Sequence, residues 1–221
     1  MITLNGNIIP VKEANGKDAA HNPEKLLKLN GAEATDESKI KAISHYFRQI
    51  MLMLGLDMED DSLKGTPDRV AKMYVQEIFR GMNPANKPAV TLFENKYHYN
   101  KMLVVKDITV YSCCEHHFLP IMGKAHVAYF SSGKVIGLSK VNRLVQYYCQ
   151  RPQVQERLTE QIAQALQKAL HTEDVAVIIE ATHLCVAARG IRDIASTTRT
   201  SHYSGKFQNN AIKKELLSWL K

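Results

Sequence analysis

Leu103-Val104-Val105-Lys106-Asp107-Ile108-Thr109-Val110-Tyr111-Ser112-Cys113-Cys114-Glu115-His116-His117 runs a β-branched, strand-forming stretch directly into a cluster of metal-binding side chains. Cys114 and His117 form a Cys-x-x-His pair, which can span a tight turn and present both side chains to one ion. A second strand pattern, residues 174–182, ends in His183-Leu184-Cys185. Candidate ligands therefore stand at the ends of two separate strands. Thiolate and imidazole are the donor types zinc prefers, and three protein ligands with an open fourth position is how catalytic zinc is held. In an extended strand residues two apart share a face, so His183 and Cys185 are expected to point into the same space. That is one candidate more than a catalytic site needs and leaves a histidine for proton transfer. A closed, four-ligand structural site uses the same residues, and spacing alone leaves both readings open.

Working outward, Ile40, Ile43, Phe47, Ile50, Met51 and Leu54 step by three and four before Gly55, which predicts an amphipathic helix with a glycine stop. Thr66-Pro67-Asp68 predicts an N-cap followed by proline at the first helical position, with the helix running to Gly81. Residues 124–130 read as a strand closed by a Ser131-Ser132-Gly133-Lys134 turn. Helices follow from Gly137-Leu138-Ser139 and from Val154 to Ala169, then come a strand over 195–203 and a terminal helix over 210–220. Residues 1–35 are polar and turn-rich and read as a flexible arm, and residues 36–90 as an N-terminal helical region.

The chain has 221 residues, 45% of them hydrophobic, enough for a substantial core. Its formal charge of +7 and pI near 9.2 favour an anionic partner. The basic residues are scattered, without a run or an aromatic–basic repeat, so nucleic acid is not the favoured one. Four cysteines, two of them adjacent, do not make a disulfide framework. The start, Met1-Ile2-Thr3-Leu4-Asn5-Gly6, lacks the basic-then-apolar pattern of a secretory signal. The longest aliphatic run, Val175 to Ile179, is far too short for a membrane span. A soluble protein of the reducing cytoplasm is the expectation.

Several motifs together resemble one family. They are Ser112-Cys113-Cys114-Glu115-His116-His117-Phe118, Gly137-Leu138-Ser139-Lys140, Arg151-Pro152-Gln153-Val154-Gln155-Glu156-Arg157-Leu158 and Thr182-His183-Leu184-Cys185-Val186-Ala187-Ala188-Arg189-Gly190. With Thr66-Pro67-Asp68-Arg69-Val70-Ala71 they are similar, over roughly residues 40–220, to GTP cyclohydrolase I. The resemblance implies an α+β tunnelling fold: a ββααββ core, an antiparallel sheet with helices on one face, behind added N-terminal helices and before a C-terminal helix. The catalytic domain would then cover residues 91–221. It implies conversion of GTP and water to 7,8-dihydroneopterin triphosphate and formate, the first step of tetrahydrofolate or pterin synthesis. It also implies a homo-oligomer, in the family a decamer, with active sites between subunits.

Carried over residue by residue, the likeness makes Cys114, His117 and Cys185 the ligands of one Zn2+ per subunit. His116 and His183 become the proton-transfer groups, since imidazole gives and accepts protons near neutrality. Glu156, with Gln155, would read guanine, because a carboxylate accepts from both N1–H and the exocyclic amine. Ser139, Lys140, Arg143 and Arg189 would hold the triphosphate, with Arg69 reaching in from a neighbouring subunit. Cys113 is not demanded by the motif, and Ala187 stands where some relatives carry lysine. Two other readings are open on these residues: a different pterin or deazapurine enzyme of the same fold, and a non-enzymatic zinc module that binds nucleic acid.

Overall fold

The computed structural model describes residues 35–221 continuously. Before them it describes only the two-residue strands Thr3–Leu4, Asn7–Ile8, Lys28–Leu29 and Ala32–Glu33. The expected arm over 1–35 falls almost wholly outside the described residues.

Helix α1 spans Asp36–Met53. The Thr35 side chain accepts from the Ser38 N–H, and Asp36 and Glu37 sit in the first turn, where the helix dipole favours negative charge. Gly55, at φ +79°, turns the chain away just beyond the C-cap, a backbone state that glycine adopts without steric cost. The apolar stripe is present, but only Met51 is buried; Ile50, Met53 and Leu54 are 52%, 84% and 72% exposed.

Helix α2 covers Thr66–Met73 and starts one residue earlier than Thr-Pro-Asp suggests: Gly65 is the cap and Thr66 already helical. It does not run on to Gly81 as a regular helix. Residues Tyr74–Ile78 widen into a π turn, with the Phe79 N–H reaching back five residues to the Tyr74 carbonyl at 2.9 Å. Short 3-10 turns follow at Arg80–Met82 and Pro84–Asn86. Gly81 lies against the carbonyls of Tyr147 and Gln150, where any Cβ would collide, so the helical region is seated tightly on the rest of the molecule.

The remaining strands are β1 (Leu92–Glu94), β2 (Leu103–Cys114), β3 (Pro120–Tyr129), β4 (Lys134–Ile136), β5 (Pro152–Gln153), β6 (Val175–His183) and β7 (Thr198–Tyr203). Between them lie α3 (Leu138–Cys149), α4 (Gln155–Leu170) and α5 (Leu184–Ala187), and α6 (Asn210–Trp219) ends the fold. The main sheet has the order β7-β6-β3-β2-β5, and β1 pairs separately with β4. All its pairings are antiparallel except the two-residue parallel contact of β5 with the end of β2, Cys113 to Pro152 and Cys114 to Gln153. The short strands β1, β4 and β5 go beyond the four strands legible from pattern.

Helices α3 and α4 cover one sheet face. Val141, Leu144 and Val145 of α3 and Leu158, Ile162 and Leu166 of α4 join Val110, Val127, Val177 and Ile179 in a single buried cluster. Burying each such side chain contributes about 1.5–3 kcal/mol. Along β6, Val175, Val177 and Ile179 face this cluster, while Ala176 and Ile178 face a second one with Phe207 and Leu216. The unbroken aliphatic run 175–179 is thus a strand covered on both faces, and α6 supplies the second cover. Helices lie on one face only within the core; the C-terminal helix takes the other. No helix among the described residues is long and apolar enough to cross a membrane.

A cysteine–histidine cluster where two strand ends meet

Strand β2 ends at Cys114 and the chain returns into β3 through a closed turn. The Cys114 carbonyl accepts from the Phe118 N–H at 2.8 Å, and the Cys114 N–H donates to the Leu119 carbonyl at 2.8 Å. Phe118 takes a left-handed conformation, φ +53°, to complete the turn. Its ring is gripped from the helical region: Phe79 stacks on Tyr74 at 5.3 Å, and Phe118 meets Phe79 edge-on at 5.1 Å. The turn places Cys114 and His117 side by side. Strand β6 lies next to β3 in register, His183 opposite Ile121, so its end arrives beside the same turn.

One donor atom each from Cys114, His117 and Cys185 lies within 4.8 Å of the others. His183 is not part of this group, and the expectation that it shares a strand face with Cys185 is corrected. The strand stops at His183, and Leu184 begins the four-residue helix α5, which swings Cys185 into the cluster and leaves His183 turned elsewhere. Cys113 is buried outside the group, and burial, with Cys114 beside it, pushes its thiol up to about 11.

His183 faces α4. Its Nε2 is 2.8 Å from Gln155 Oε1. The Gln155 amide is oriented by its other end, which donates to the carbonyls of Ile179 and Thr198 at 3.1 and 2.9 Å and to Thr200 Oγ1 at 3.1 Å. Gln155 Oε1 must therefore accept, so neutral His183 carries its proton on Nε2 and keeps a lone pair on Nδ1. Burial holds the His183 pKa below the usual imidazole value, opposed by the Glu156 carboxylate nearby. The Gln155 side chain is buried and fully engaged in this network. His116 is exposed beside the cluster, its Nδ1 3.8 Å from Cys114 Sγ.

The donor set suits a soft or borderline divalent metal. Burial and then the adjacent Cys114 hold the Cys185 thiol above its ordinary value. Two sulfurs and an imidazole nitrogen converge on one point. The residues thus fit a metal ion.

The GTP cyclohydrolase I family model matches residues 43–221. GTP cyclohydrolase 1 of Flavobacterium johnsoniae is 58% identical over 200 residues, 90% of each chain. That of Aliivibrio fischeri MJ11 is 47% identical over 222 residues, the full length of both.

This chain belongs to the GTP cyclohydrolase I family.

The fold is accordingly the tunnelling fold that the family shares. A crystal structure of apo archaeosine synthase QueF-Like superposes with a TM-score of 0.40 at 17% identity, covering 47% of this chain and 93% of that one. The residues that family resemblance assigns to the substrate are divided between two places. Near the cluster are Glu156, exposed in the first turn of α4, and Arg189, whose Nη1 donates to His117 Nε2 at 2.7 Å. Elsewhere are Ser139, Lys140 and Arg143, in the first half of α3. The last turn of α3 is the end near the cluster, where Ser112 Oγ donates to the Cys149 carbonyl at 2.8 Å, and Gln146 reaches back to Thr109. With about 1.5 Å of rise per residue, α3 is roughly 16 Å long from its start to that end. Arg69, on α2, is bonded to the Ser62 carbonyl at 2.9 Å and Thr66 Oγ1 at 2.8 Å.

Glu115 and Arg157, which sequence reasoning passed over, form an ion pair at the base of the Cys114–His117 turn. A charge in a turn and a charge on a helix carry no sequence signal that they meet. The grip of Tyr74 and Phe79 on Phe118 was equally hidden, because it depends on the π turn.

Proposed function

We infer that this family member opens the imidazole ring of GTP at C8, converting GTP and water to 7,8-dihydroneopterin triphosphate and formate at the Cys114–His117–Cys185 cluster. The observation that carries this reading is the meeting of those three donors beside His183 and Glu156 in a chain of this family. Among the described residues three donors gather rather than four, which supports an open catalytic position over a closed structural zinc.

Cys114, His117 and Cys185 would hold one Zn2+ per subunit. When bound, zinc supplies Lewis acidity that makes water a competent nucleophile near neutral pH. Glu156 accepts from guanine N1–H and the exocyclic amine, a pair adenine does not offer. A site built for hydrogen bonds rejects a ligand that lacks them. His183, held by Gln155 with Nδ1 free, accepts and returns protons at the ring nitrogens. His116, exposed beside Cys114, is the second imidazole available for the same chemistry. Arg189 is the phosphate ligand on this side, since a guanidinium fork matches phosphate oxygens.

The remaining phosphate-binding set, Ser139, Lys140 and Arg143 with Arg69, comes from neighbouring copies. The placement of these residues in the first half of α3 and the exposed Ile50, Met53 and Leu54 at the end of α1 support a homo-oligomer whose sites are completed between subunits, a decamer in the family. Free thiols at the site suit the reducing cytoplasm.

Incubating the purified, zinc-loaded protein with GTP tests this reading. Formate release and a fluorescent pterin after oxidation are expected in equal amounts. Absence of both would overturn it.

A further inference from the structure

Glu115 lies inside the metal turn, and Arg157 directly follows Glu156 on α4. Their side chains form an ion pair and are only 23% and 15% exposed. The same guanidinium donates from Nε to Gln153 Oε1 at 3.0 Å and from Nη2 to the Pro152 carbonyl at 2.9 Å. The Gln153 carbonyl in turn accepts the Glu115 N–H at 3.0 Å, and its buried amide donates to the Tyr148 carbonyl at 3.0 Å. A closed ring of contacts results: the backbone and side chain of Glu115 are both tied to the segment that opens α4. The second carboxylate oxygen of Glu115 is 4.0 Å from His116 Nε2.

A partly buried ion pair is a poor device for stability alone, because desolvation offsets much of its attraction. Its position suits another role. It joins the turn that carries Cys114 and His117 to the helix start that carries Gln155 and Glu156. Those two elements must keep a fixed spacing if a base held by Glu156 is to present C8 to the cluster. A displacement of about 1 Å there costs on the order of a hundredfold in rate.

We propose that Glu115 and Arg157 are positioning residues that set the distance between the metal turn and the guanine-binding end of α4 and hold His116 beside them. This rests on the ligand and guanine assignments made under the proposed function. The test compares Glu115→Gln, Arg157→Met, Arg157→Lys and the Glu115→Gln/Arg157→Met double variant as zinc-loaded proteins, measuring kcat, KM for GTP and zinc per chain. Each neutralising single variant is expected to lower kcat roughly 10- to 100-fold with KM and zinc content retained. The double variant is expected to fall no further than the worse single, because both act through one contact. Arg157→Lys keeps the charge but not the fork, and recovers part of the rate.

Wild-type kcat in either neutralising single variant, or losses that multiply in the double, would overturn the proposal. Should Arg157→Met fail to fold, Glu115→Gln decides: wild-type kcat sinks the idea, and reduced kcat with full zinc supports it. Cys185→Ser, assayed in parallel, separates the two levels. If it keeps zinc and rate, the ligand assignment fails. If it loses both while Glu115→Gln keeps its kcat, only the positioning role fails.

Discussion

His183 and Cys185 are two residues apart, and the fold sends them to different work. The strand-to-helix change at Leu184 turns Cys185 into the donor cluster, while His183 is captured by Gln155. His183→Ala should therefore retain bound zinc and lose about 10²- to 10⁴-fold in kcat, the range for a general acid–base group. Loss of the metal, measured by elemental analysis, would show that ligand and catalyst are misassigned. Glu156→Ala should leave the thermal midpoint close to wild type, since the side chain is exposed, and lower the preference for GTP over ATP by about tenfold or more. Competition assays with the two nucleotides read this directly. That Cys114 and His117 would gather at one point was legible, because a Cys-x-x-His pair at a strand end can span a tight turn. The division between His183 and Cys185 was not legible from spacing. A four-residue helix made of Leu, Cys, Val and Ala continues the apolar pattern of the strand before it, and only the surrounding packing ends that strand.

At the scale of elements, β2 carries an irregularity the pattern did not reveal. Its pairing with β3 slips between Val105 and Ile108, and Asp107 adopts φ +58° there. The Asp107 N–H donates to His126 Nδ1 at 3.1 Å, so neutral His126 has its proton on Nε2. Burial lowers the His126 pKa from 6.5; Asp107 and Glu180 oppose this, and Lys124 and Arg199 add to it. A histidine with a depressed folded pKa resists protonation in the native state. No penalty exists well above pH 6.5; it grows as pH falls through the unfolded value and is complete below the folded one. Urea midpoints at pH 7.5 and 5.5 should fall more steeply for wild type than for His126→Gln. Equal slopes would contradict this. Helices and long strands were readable because their periods repeat. The two-residue β5 and the π turn at Tyr74 were not, since each is imposed by contacts with distant chain: β5 by the end of β2, and the π turn by the seating of Gly81 on α3.

Over the whole molecule, α3 is tied near the cluster by its last turn, and Ser139, Lys140 and Arg143 stand in its first half. The apolar stripe of α1 was correctly read as amphipathic: it packs against α2, while Ile50 and Leu54 near its end stay 52% and 72% exposed. Shared sites predict complementation. Cys185→Ser chains and Lys140→Ala/Arg143→Ala chains, each nearly inactive, should regain activity when unfolded together and refolded as a mixture. Formate release in the mixture no greater than in the separate samples would contradict shared sites. The sequence pattern could not locate Ser139, Lys140 and Arg143 relative to the cysteine–histidine cluster, because their placement is set by the length of α3 and its packing along β2.

The central claim is that Cys114, His117 and Cys185 gather one zinc ion on which turnover of GTP depends. Zinc content and formate release, measured on the same preparations of wild type and Cys185→Ser, test it most directly. The account predicts about one zinc per wild-type chain, with metal and formate release lost together in the variant. A Cys185→Ser protein that turns over GTP at the wild-type rate, with or without zinc, would contradict it.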